Sequence, residues 1–417
     1  MKMNNNTQDF SDIGTLKLGL NFPVQKKENN KTEKYEFIDL FAGIGGFHEA
    51  IADFGGKCVF ASEWDEECQK VYKNNFNIIP AGDITKVREK DIPSHDILFA
   101  GFPCQPFSKG GQRKGFKDMR GTLFFDIVRI LKHHKPKYFL LENVSNLVSH
   151  DKGNTYKIIT ETLEKLGYSI PKKPIILSPN QFGIPVLRKR IYIPGVLKKY
   201  GNYEEKFNFL VTKKCNSNLN AYSIISEKFN NKTSEISEYE KKVIKMWNEF
   251  YLNIDLKIIG FPVWSDYFKE DVTKIKKFPK WKQDFIIKNI ELYKRNKKFV
   301  DRWLKKYKNL TWVKETHRKF EWQAGNDIHD IYDSLIQFRP SGVRVKRPNY
   351  FSTLVAMNHN QIIGKLLRKA HPEELKKLQS FRKNFILHED KNTALKQLGN
   401  AVNIKVVKEL LKMMLEK

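Results

Sequence analysis

The sequence contains Tyr35-Glu36-Phe37-Ile38-Asp39-Leu40-Phe41-Ala42-Gly43-Ile44-Gly45-Gly46, a short apolar strand followed by a glycine-rich turn. A helical pattern begins directly afterwards, near Phe47. The glycines allow a tight turn and let a ligand approach the backbone closely. Glycines serve many other turns, so this segment alone leaves a purely structural role open.

An acidic residue supports the ligand interpretation of this turn. Glu63 lies 20 residues after Gly43, at the end of the run Lys57–Ser62. Folds with this strand-to-helix connection place an acid there to bind ribose hydroxyls. Together, the turn and the acid predict a nucleotide-type site.

The same strand-to-helix rhythm continues from Tyr35 to about Gly195. Short apolar strands alternate with helical stretches such as Gly46–Phe54 and Leu123–His133. This alternation predicts an α/β fold with a mostly parallel, doubly wound sheet.

Two further strands end in residues that can do chemistry. Cys104, in Pro103-Cys104-Gln105, comes just after the apolar run Asp96–Ala100, and Glu142 lies at the end of the strand predicted over Tyr138–Val144. Parallel α/β sheets collect reactive groups at their strand ends, so both residues are candidates for catalysis. Alternatives remain open: a lone cysteine is usually an inert buried residue, and a glutamate can cap a helix or form a buried salt bridge.

Taken together, these segments closely resemble the cytosine-C5 DNA methyltransferases, S-adenosylmethionine-dependent enzymes typical of bacterial restriction-modification systems. The motifs follow the order of that family from Phe37 to Gly195 and again from Arg347 to Val402. They are Asp39 to Gly46, Glu63-Trp64, Gly82-Asp83-Ile84, Gly101 to Ser108, Gly115-Phe116, Arg120 to Phe125, Glu142-Asn143-Val144, Phe182 to Pro185, Arg188 to Tyr192, Arg347-Pro348, Ser352-Thr353-Leu354, His371 to Leu375, Leu378 to Phe381 and Gln397 to Val402.

The resemblance implies a doubly wound, Rossmann-like S-adenosylmethionine-dependent methyltransferase domain plus a smaller target-recognition domain. It also implies that the chain returns to the first domain at its end, where Leu395–Glu416 is helical in pattern. The expected division is a flexible N-terminal segment over 1–34, a catalytic and cofactor-binding domain over 35–195 completed by 393–417, a target-recognition domain over 196–356, and a hinge and return connection over 357–392.

The resemblance further implies methyl transfer from S-adenosyl-L-methionine to C5 of a cytosine flipped out of duplex DNA. Cys104 would attack C6, because cytosine C5 is a poor nucleophile until a thiolate adds to the ring. Glu142 would share a proton with N3, and Arg190 would reach O2 of the base. Arg188 would position the catalytic loop or a phosphate; surface salt bridges are the alternative for both arginines.

For the cofactor, the resemblance implies a set of residues along three strand ends and the C-terminal segment. Glu63 would bind the ribose hydroxyls, Trp64 the adenine face and Asp83 the adenine amino group. The remaining members are Phe41, Gly43 and Gly45 around the methionine part, Asn400 at its end, and Ile84 and Pro103. The loop Gln105–Arg120 is expected to close over DNA.

The charge of the chain fits a polyanionic partner. The sequence has 75 Lys and Arg against 47 Asp and Glu, a formal net charge of +28, and phosphate neutralisation drives binding to nucleic acid. From Lys269 to Phe320, 18 Lys or Arg occur with 6 Asp or Glu among interspersed aromatic residues. A compositional bias and a solvated surface are the simpler explanations.

Cysteine spacing and hydropathy give no indication of a metal-binding, disulfide-rich or membrane-spanning protein. The four cysteines Cys58, Cys68, Cys104 and Cys215 show no C-x-x-C spacing, so we expect neither a metal site nor a disulfide framework. No run of about 18 apolar residues predicts a membrane span. We expect a cytoplasmic, nucleoid-associated prokaryotic protein that acts as a monomer on double-stranded DNA, alongside a possible cognate restriction endonuclease.

Two other functions stay open from the sequence. The transfer-RNA cytosine methyltransferases resemble this family and would use the same motifs. The large basic interval before Ser352 favours DNA over RNA as the substrate. A catalytically silent DNA-binding protein is supported only by the charge.

Overall fold

The computed structural model describes residues 34–103, 123–214, 218–229, 234–255, 260–354 and 361–416. Two β-sheets organise these residues, one of seven strands and one of six. The first sheet contains β1 Tyr35–Leu40, β2 Gly56–Ser62, β3 Ile97–Gly101, β4 Tyr138–Val144, β5 Tyr168–Ser169, β6 Ile175–Leu177 and β7 Arg190–Leu197. The second contains β8 Val263–Trp264, β9 Lys319–Gln323, β10 Leu335–Arg339, β11 Gly342–Lys346, β12 Ile362–Ile363 and β13 Arg368–Lys369.

The α-helices of the described residues surround these sheets, and short 3-10 turns connect many of them. They are α1 Gly46–Ile51, α2 Glu66–Phe76, α3 Leu123–His134, α4 Asn154–Lys165, α5 Asn208–Thr212, α6 Glu238–Asn253, α7 Lys280–Arg295, α8 Lys297–Lys306, α9 Pro372–Leu378, α10 Lys391–Asn400 and α11 Ile404–Leu415.

The first sheet has the order β2-β1-β3-β4-β7-β5, with β6 also paired to β7. Strands β2, β1, β3 and β4 run parallel to one another, whereas β7 runs antiparallel to β4, β5 and β6. The expected parallel arrangement therefore holds for the half that carries the candidate site. The other half reverses because β7 follows β6 without a crossover helix, which only parallel strands require.

Helices cover both faces of the first sheet, as the sequence predicted. Phe37 of β1 packs in one core with Phe47 of α1 and Val407 of α11, while Ile38 packs in another core with Phe124 of α3 and Ile159 of α4. Successive side chains of a strand point to opposite faces, so β1 contributes to both cores. The doubly wound α/β fold is confirmed.

The C-terminal helical pattern forms two helices that rejoin the first sheet. A break at Ala401 separates α10 from α11, and α11 packs against α1. The Tyr203 hydroxyl donates a hydrogen bond of 2.8 Å to the Met414 carbonyl oxygen. The end of the described chain is thus part of the first core.

The second sheet has the order β13-β12-β10-β11-β9-β8 and packs its apolar face on helices. Phe320, Ile336 and Val343 lie in a core with Trp247 of α6 and Trp303 of α8. Two of its strands, β12 and β13, lie beyond residue 356.

The two sheets belong to one compact unit, Glu33–Lys417. Phe351 joins them, because its backbone N–H donates to the Pro185 carbonyl at 2.8 Å and its carbonyl accepts from the Leu187 N–H at 2.8 Å. In the described part of the chain, none of the helices combines the length and apolar character needed to cross a bilayer. Nor do the described residues contain a cluster of three potential metal-ligating acids, histidines or cysteines.

Candidate active site

The glycine-rich turn between β1 and α1 has backbone angles that favour glycine. Gly43 has φ 55° and Gly45 has φ 86°, and Phe41 also adopts φ 55°. A Cβ atom on Gly45 would lie 2.2 Å from Cε2 of Phe76, whereas a Cβ on Gly43 would meet no atom within 4 Å. Gly45 is therefore needed for packing, and Gly43 faces open space that a ligand can enter.

Glu63 is tied directly to this turn. The Gly43 backbone N–H donates to Glu63 Oε2 at 2.8 Å, and the Asp65 N–H donates to Oε1 at 2.9 Å. Burial raises the pKa of Glu63, while the N–H groups of Asp65 and Gly43 oppose that rise. The structure thus brings together the two residues on which the sequence prediction of a nucleotide-type site depended.

Trp64 comes directly after Glu63 beyond β2, and Asp83 and Ile84 lie on the adjacent segment. The Glu63 N–H donates to the Ala81 carbonyl at 2.8 Å, which places the 81–84 segment beside the end of β2. Asp83 accepts hydrogen bonds from the Thr85 N–H and hydroxyl at 3.0 and 2.8 Å, and these lower its pKa. Ile84 is buried, whereas Trp64 is 80% exposed.

Glu142 and Arg190 form a shielded ion pair where β4 and β7 meet. Arg190 Nε lies 3.1 Å from Glu142 Oε1, and the two side chains are only 16% and 10% exposed. Burial raises the pKa of Glu142, and the charges of Arg190 and Arg188 work against that rise. Because burial outweighs two nearby cations, this carboxyl group keeps a proton more readily than an ordinary glutamate.

Arg188 is buried rather than on the surface. Its Nη1 donates to the Leu354 carbonyl at 2.9 Å and its Nη2 to the Ala401 carbonyl at 3.0 Å. Its backbone N–H donates to Ser178 Oγ at 3.0 Å, while Nε has no hydrogen-bond partner. Burial lowers the pKa of Arg188 to about 10. Arg188 thus connects three segments that are distant in sequence.

Cys104 and the loop Gln105–Arg120 lie outside the described residues, as does Cys215. The strand that leads to Cys104, β3, ends at Gly101, directly beside Glu142 on β4. A Cβ atom on Gly101 would lie 3.8 Å from Glu142 Oε2. Pro103 is exposed, two residues beyond this point.

Asn400 is exposed at the end of α10, and its contacts with described residues assign it no role. Its neighbour Val402, however, packs against the glycine-rich turn. A Cβ atom on Gly46 would lie 2.6 Å from Val402 Cγ2, and one on Gly101 would lie 3.8 Å from Val402 Cγ1. The C-terminal segment is therefore adjacent to the candidate cofactor residues.

Sequence reasoning assigned no role to two buried residues of this site. Asn143 donates from Nδ2 to the Phe102 carbonyl at 3.1 Å and so fixes the backbone just before Pro103. Asp39 is fully buried, and burial together with the Glu63 charge raises its pKa well above the usual value. Asn143 was detectable as the neighbour of Glu142, whereas the burial of a strand aspartate has no clear sequence signal.

Comparison with known proteins identifies the family. Residues 35–416 match the model described as C-5 cytosine-specific DNA methylase. The chain belongs to the C-5 cytosine-specific DNA methylase family. The family resemblance inferred from the motifs is therefore confirmed.

Several Type II methyltransferases are similar to this family member. M.AluI from Cellulosimicrobium cellulans is 32% identical over 478 aligned residues that cover 91% of each chain. M.HpaII from Haemophilus parainfluenzae is 53% identical over 190 residues, 44% of this chain and 53% of M.HpaII. M.SsoII from Shigella sonnei is 51% identical over 199 residues, 46% of this chain and 51% of M.SsoII. In the last two matches the chain spans about half the length of the relative.

Solved structures support the methylase fold. The Dnmt2 methyltransferase of S. pombe has a TM-score of 0.54 at 17% identity, covering 92% of this chain and 99% of that chain. The Entamoeba histolytica methyltransferase EhMeth has a TM-score of 0.52 at 18% identity, covering 92% and 98%. At these identities the likeness concerns the fold alone.

Proposed function

We propose that this chain transfers a methyl group from S-adenosyl-L-methionine to C5 of a cytosine flipped out of duplex DNA. The observation that carries the proposal is the shielded Glu142–Arg190 pair, which lies beside the strand leading to Cys104. Membership of the C-5 cytosine-specific DNA methylase family supports the same chemistry.

The residues of the glycine-rich turn fit S-adenosyl-L-methionine. Open space in front of Gly43 leaves room for a ligand against the backbone, and the Glu63 carboxylate is a hydrogen-bond acceptor for ribose hydroxyls beside it. Trp64 exposes a ring face for stacking on adenine. We assign Asp83, Ile84, Phe41, Gly45, Pro103 and Asn400 to the same site. When bound, the cofactor supplies an electrophilic methyl group.

We assign the nucleophile to Cys104. Burial raises the pKa of Cys58 to about 12, and burial together with Glu63 and Asp65 raises the pKa of Cys68 further. Neither thiol is therefore suited to form a thiolate, whereas Cys104 follows the strand end beside Glu142. Its sulfur would add to C6, and C5 would gain the density needed for methylation. Loss of the C5 proton and release of the sulfur then restore the aromatic ring.

Glu142 would supply the proton that this addition needs. A neutral carboxyl can donate to N3 of the base, and burial favours the neutral form of Glu142. Arg190 holds the carboxyl in place through Nε and is assigned to the O2 side of the base. Arg188 is assigned as a positioning residue, because its side chain binds the backbone carbonyls of Leu354 and Ala401 and its charge acts on Glu142.

The partners follow from this chemistry. Cytosine C6 is inaccessible within a stacked duplex, so the substrate must be a flipped base, which costs a few kcal/mol. We propose duplex DNA as the substrate and residues 196–356 as the target-recognition domain. The names of the Type II relatives support a place in a restriction-modification system. We propose a cognate endonuclease in that system and a location in the prokaryotic cytoplasm near the nucleoid. We propose that the protein works as a monomer.

Product analysis tests the proposal. Purified protein incubated with labelled S-adenosyl-L-methionine is expected to label unmethylated plasmid DNA, with 5-methylcytosine as the product. Transfer RNA in a parallel reaction is expected to stay unlabelled. Labelled N4-methylcytosine, N6-methyladenine or transfer RNA instead would contradict the proposed function.

Covalent trapping tests the nucleophile separately. A duplex with 5-fluorocytosine at the target is expected to trap the protein, because fluorine at C5 cannot leave as a proton. Cys104→Ser should abolish trapping while DNA binding persists, and Cys58→Ser should trap like the wild type. Trapping by Cys104→Ser, or its loss in Cys58→Ser, would overturn the assignment.

A further inference from the structure

One face of the second sheet carries a cluster of half-exposed cations, Arg339, Arg344 and Lys346, here called the basic face. In the strand register, Arg344 lies opposite Gln337 of β10 and opposite Glu321 of β9. Lys346 is two residues from Arg344, and Arg339 is two residues from Gln337, so all share one side of the sheet. The residues between them face the apolar core on the other side.

The basic face has more positive charge than its described neighbours neutralise. Arg344 pairs with Glu321 at 2.6 Å. Arg339 and Lys346 form no ion pair with any described residue, and Nη1 of Arg339 is buried without a hydrogen-bond partner. Burial and the Arg344 charge lower the pKa of both Arg339 and Lys346. Burial and mutual repulsion therefore destabilise the charged forms of these side chains, and an anion bound beside them would stabilise those forms.

The basic face is connected to the candidate active site. Lys346 Nζ donates to Ser352 Oγ at 3.0 Å, and the adjacent Phe351 pairs with the backbone of Pro185 and Leu187. The next residue after Leu187 is Arg188, and β7 begins at Arg190. A side-chain hydrogen bond followed by backbone pairing therefore connects the basic face to the segment that carries Arg188 and Arg190.

We infer that Arg339 and Lys346 bind phosphates of the substrate DNA. This inference rests on the proposed function, because it assumes that the substrate is DNA. Phosphate is the group that best compensates two half-exposed cations without an ion-pair partner, and such contacts position a protein on DNA without reading its sequence. The basic face would thus set the position of the duplex relative to Glu142, while base readout lies elsewhere.

Salt-dependent binding tests this inference with the full chain and unmethylated plasmid DNA. Each phosphate contact contributes about 0.9 to the slope of log affinity against log salt. Arg339→Gln and Lys346→Gln should each lower the slope by about 0.9 and weaken binding roughly eightfold near 0.1 M salt. The slope of the double variant should fall by about twice that amount. Lys346→Arg keeps the positive charge, so its slope should equal that of the wild type.

Lys165→Gln is the matched control. Lys165 is exposed at the end of α4, outside the proposed target-recognition domain, and its change removes the same charge. Unchanged slopes in Arg339→Gln and Lys346→Gln, or an equal loss in Lys165→Gln, would overturn the inference. A changed set of methylated sequences, measured by bisulfite sequencing, would also overturn it, because it would indicate base readout. If the wild-type protein methylates no duplex DNA but Arg339→Gln and Lys346→Gln still lower the salt slope, the proposed function is wrong while phosphate binding by the basic face is supported.

Discussion

Glu142 is subject to two opposing effects, and their balance determines its chemistry. Burial removes water from the carboxylate and favours the protonated form, whereas Arg190 at 3.1 Å favours the charged form. The net pKa is raised, so the folded protein binds this proton more tightly than the unfolded chain does. The unfolding free energy contributed by Glu142 therefore falls as pH rises from the ordinary glutamate pKa through the raised value.

The same balance predicts the pH dependence of methyl transfer. If protonated Glu142 donates to the base, the single-turnover rate should fall as pH rises through its raised pKa. Arg190→Gln removes the largest opposing charge, so the remaining burial should raise that pKa further and move the falling limb to higher pH. The measurement is the rate of methyl transfer at saturating DNA across pH.

Glu142→Gln is the control for this prediction. It keeps the size of the side chain but removes the titrating group, so the falling limb should disappear along with most of the rate. General acid catalysis of this kind contributes about 100- to 10,000-fold. A falling limb that persists in Glu142→Gln would assign the titration to another group.

Cofactor affinity is predicted to depend on Glu63. Its carboxylate accepts the Gly43 N–H and so lies beside the turn whose glycine faces open space. Loss of a hydrogen bond to a charged group costs about 1.5 to 3 kcal/mol, so Glu63→Gln should weaken S-adenosyl-L-methionine binding by this amount in calorimetry. Glu66→Gln, an exposed acid at the start of α2, should leave the affinity unchanged. Equal affinities for wild type and Glu63→Gln would contradict the assignment.

Strand and helix positions near the site were predictable from the sequence because they depend on local pattern. The run Lys57–Ser62 lies within β2, and the run Asp96–Ala100 overlaps β3. The antiparallel direction of β7 was not predictable, because an apolar run indicates a buried strand without fixing its partner. The break between α10 and α11 at Ala401 was also not predictable, because the helical pattern of the sequence continues across it.

Gly43 and Gly45 are expected to have different roles in the β1–α1 turn. Gly45→Ala forces an alanine into φ 86° and drives its Cβ into Phe76, whereas Gly43→Ala meets no neighbouring atom. Left-handed backbone costs a non-glycine residue about 1 to 3 kcal/mol. Gly45→Ala should therefore lower the free energy of unfolding by more than that amount in urea denaturation. Gly43→Ala should lose less stability yet weaken cofactor binding; the reverse order would contradict the geometry.

Contacts between residues distant in sequence hold the segments of the fold together, and few of these contacts could be predicted from the sequence. Arg188 donates to two backbone carbonyls, which every residue possesses. His388 Nε2 lies 2.6 Å from Glu67, and Arg382 pairs with Glu49, although many other charged residues were equally available. The motifs therefore indicated that Glu63 belongs with the Gly43 turn, but not how the 380–388 segment is attached to α1 and α2.

Specificity is predicted to move with the second sheet when it is transferred to a relative. A graft of 196–356 would cut the sheet, because Leu335 and Ile336 of β10 pair with Ile363 and Ile362 of β12. A graft of 196–369 carries all six strands and should keep the second core intact. We therefore expect the longer graft to be the more stable of the two in thermal unfolding.

The methylated sequence is the decisive measurement for this graft. If residues 196–356 read the target while the flanking strands carry out the chemistry, a relative that receives 196–369 should methylate the sequence recognised by this chain, as read by bisulfite sequencing. The methyl-transfer rate of the chimera should stay close to that of the unmodified recipient. The graft excludes the segments that carry Glu142, Arg188 and Arg190 in this chain, so the recipient keeps its own counterparts. An active, folded chimera that keeps the target of the recipient would contradict the division. Such a result would place base readout in the flanking motifs instead.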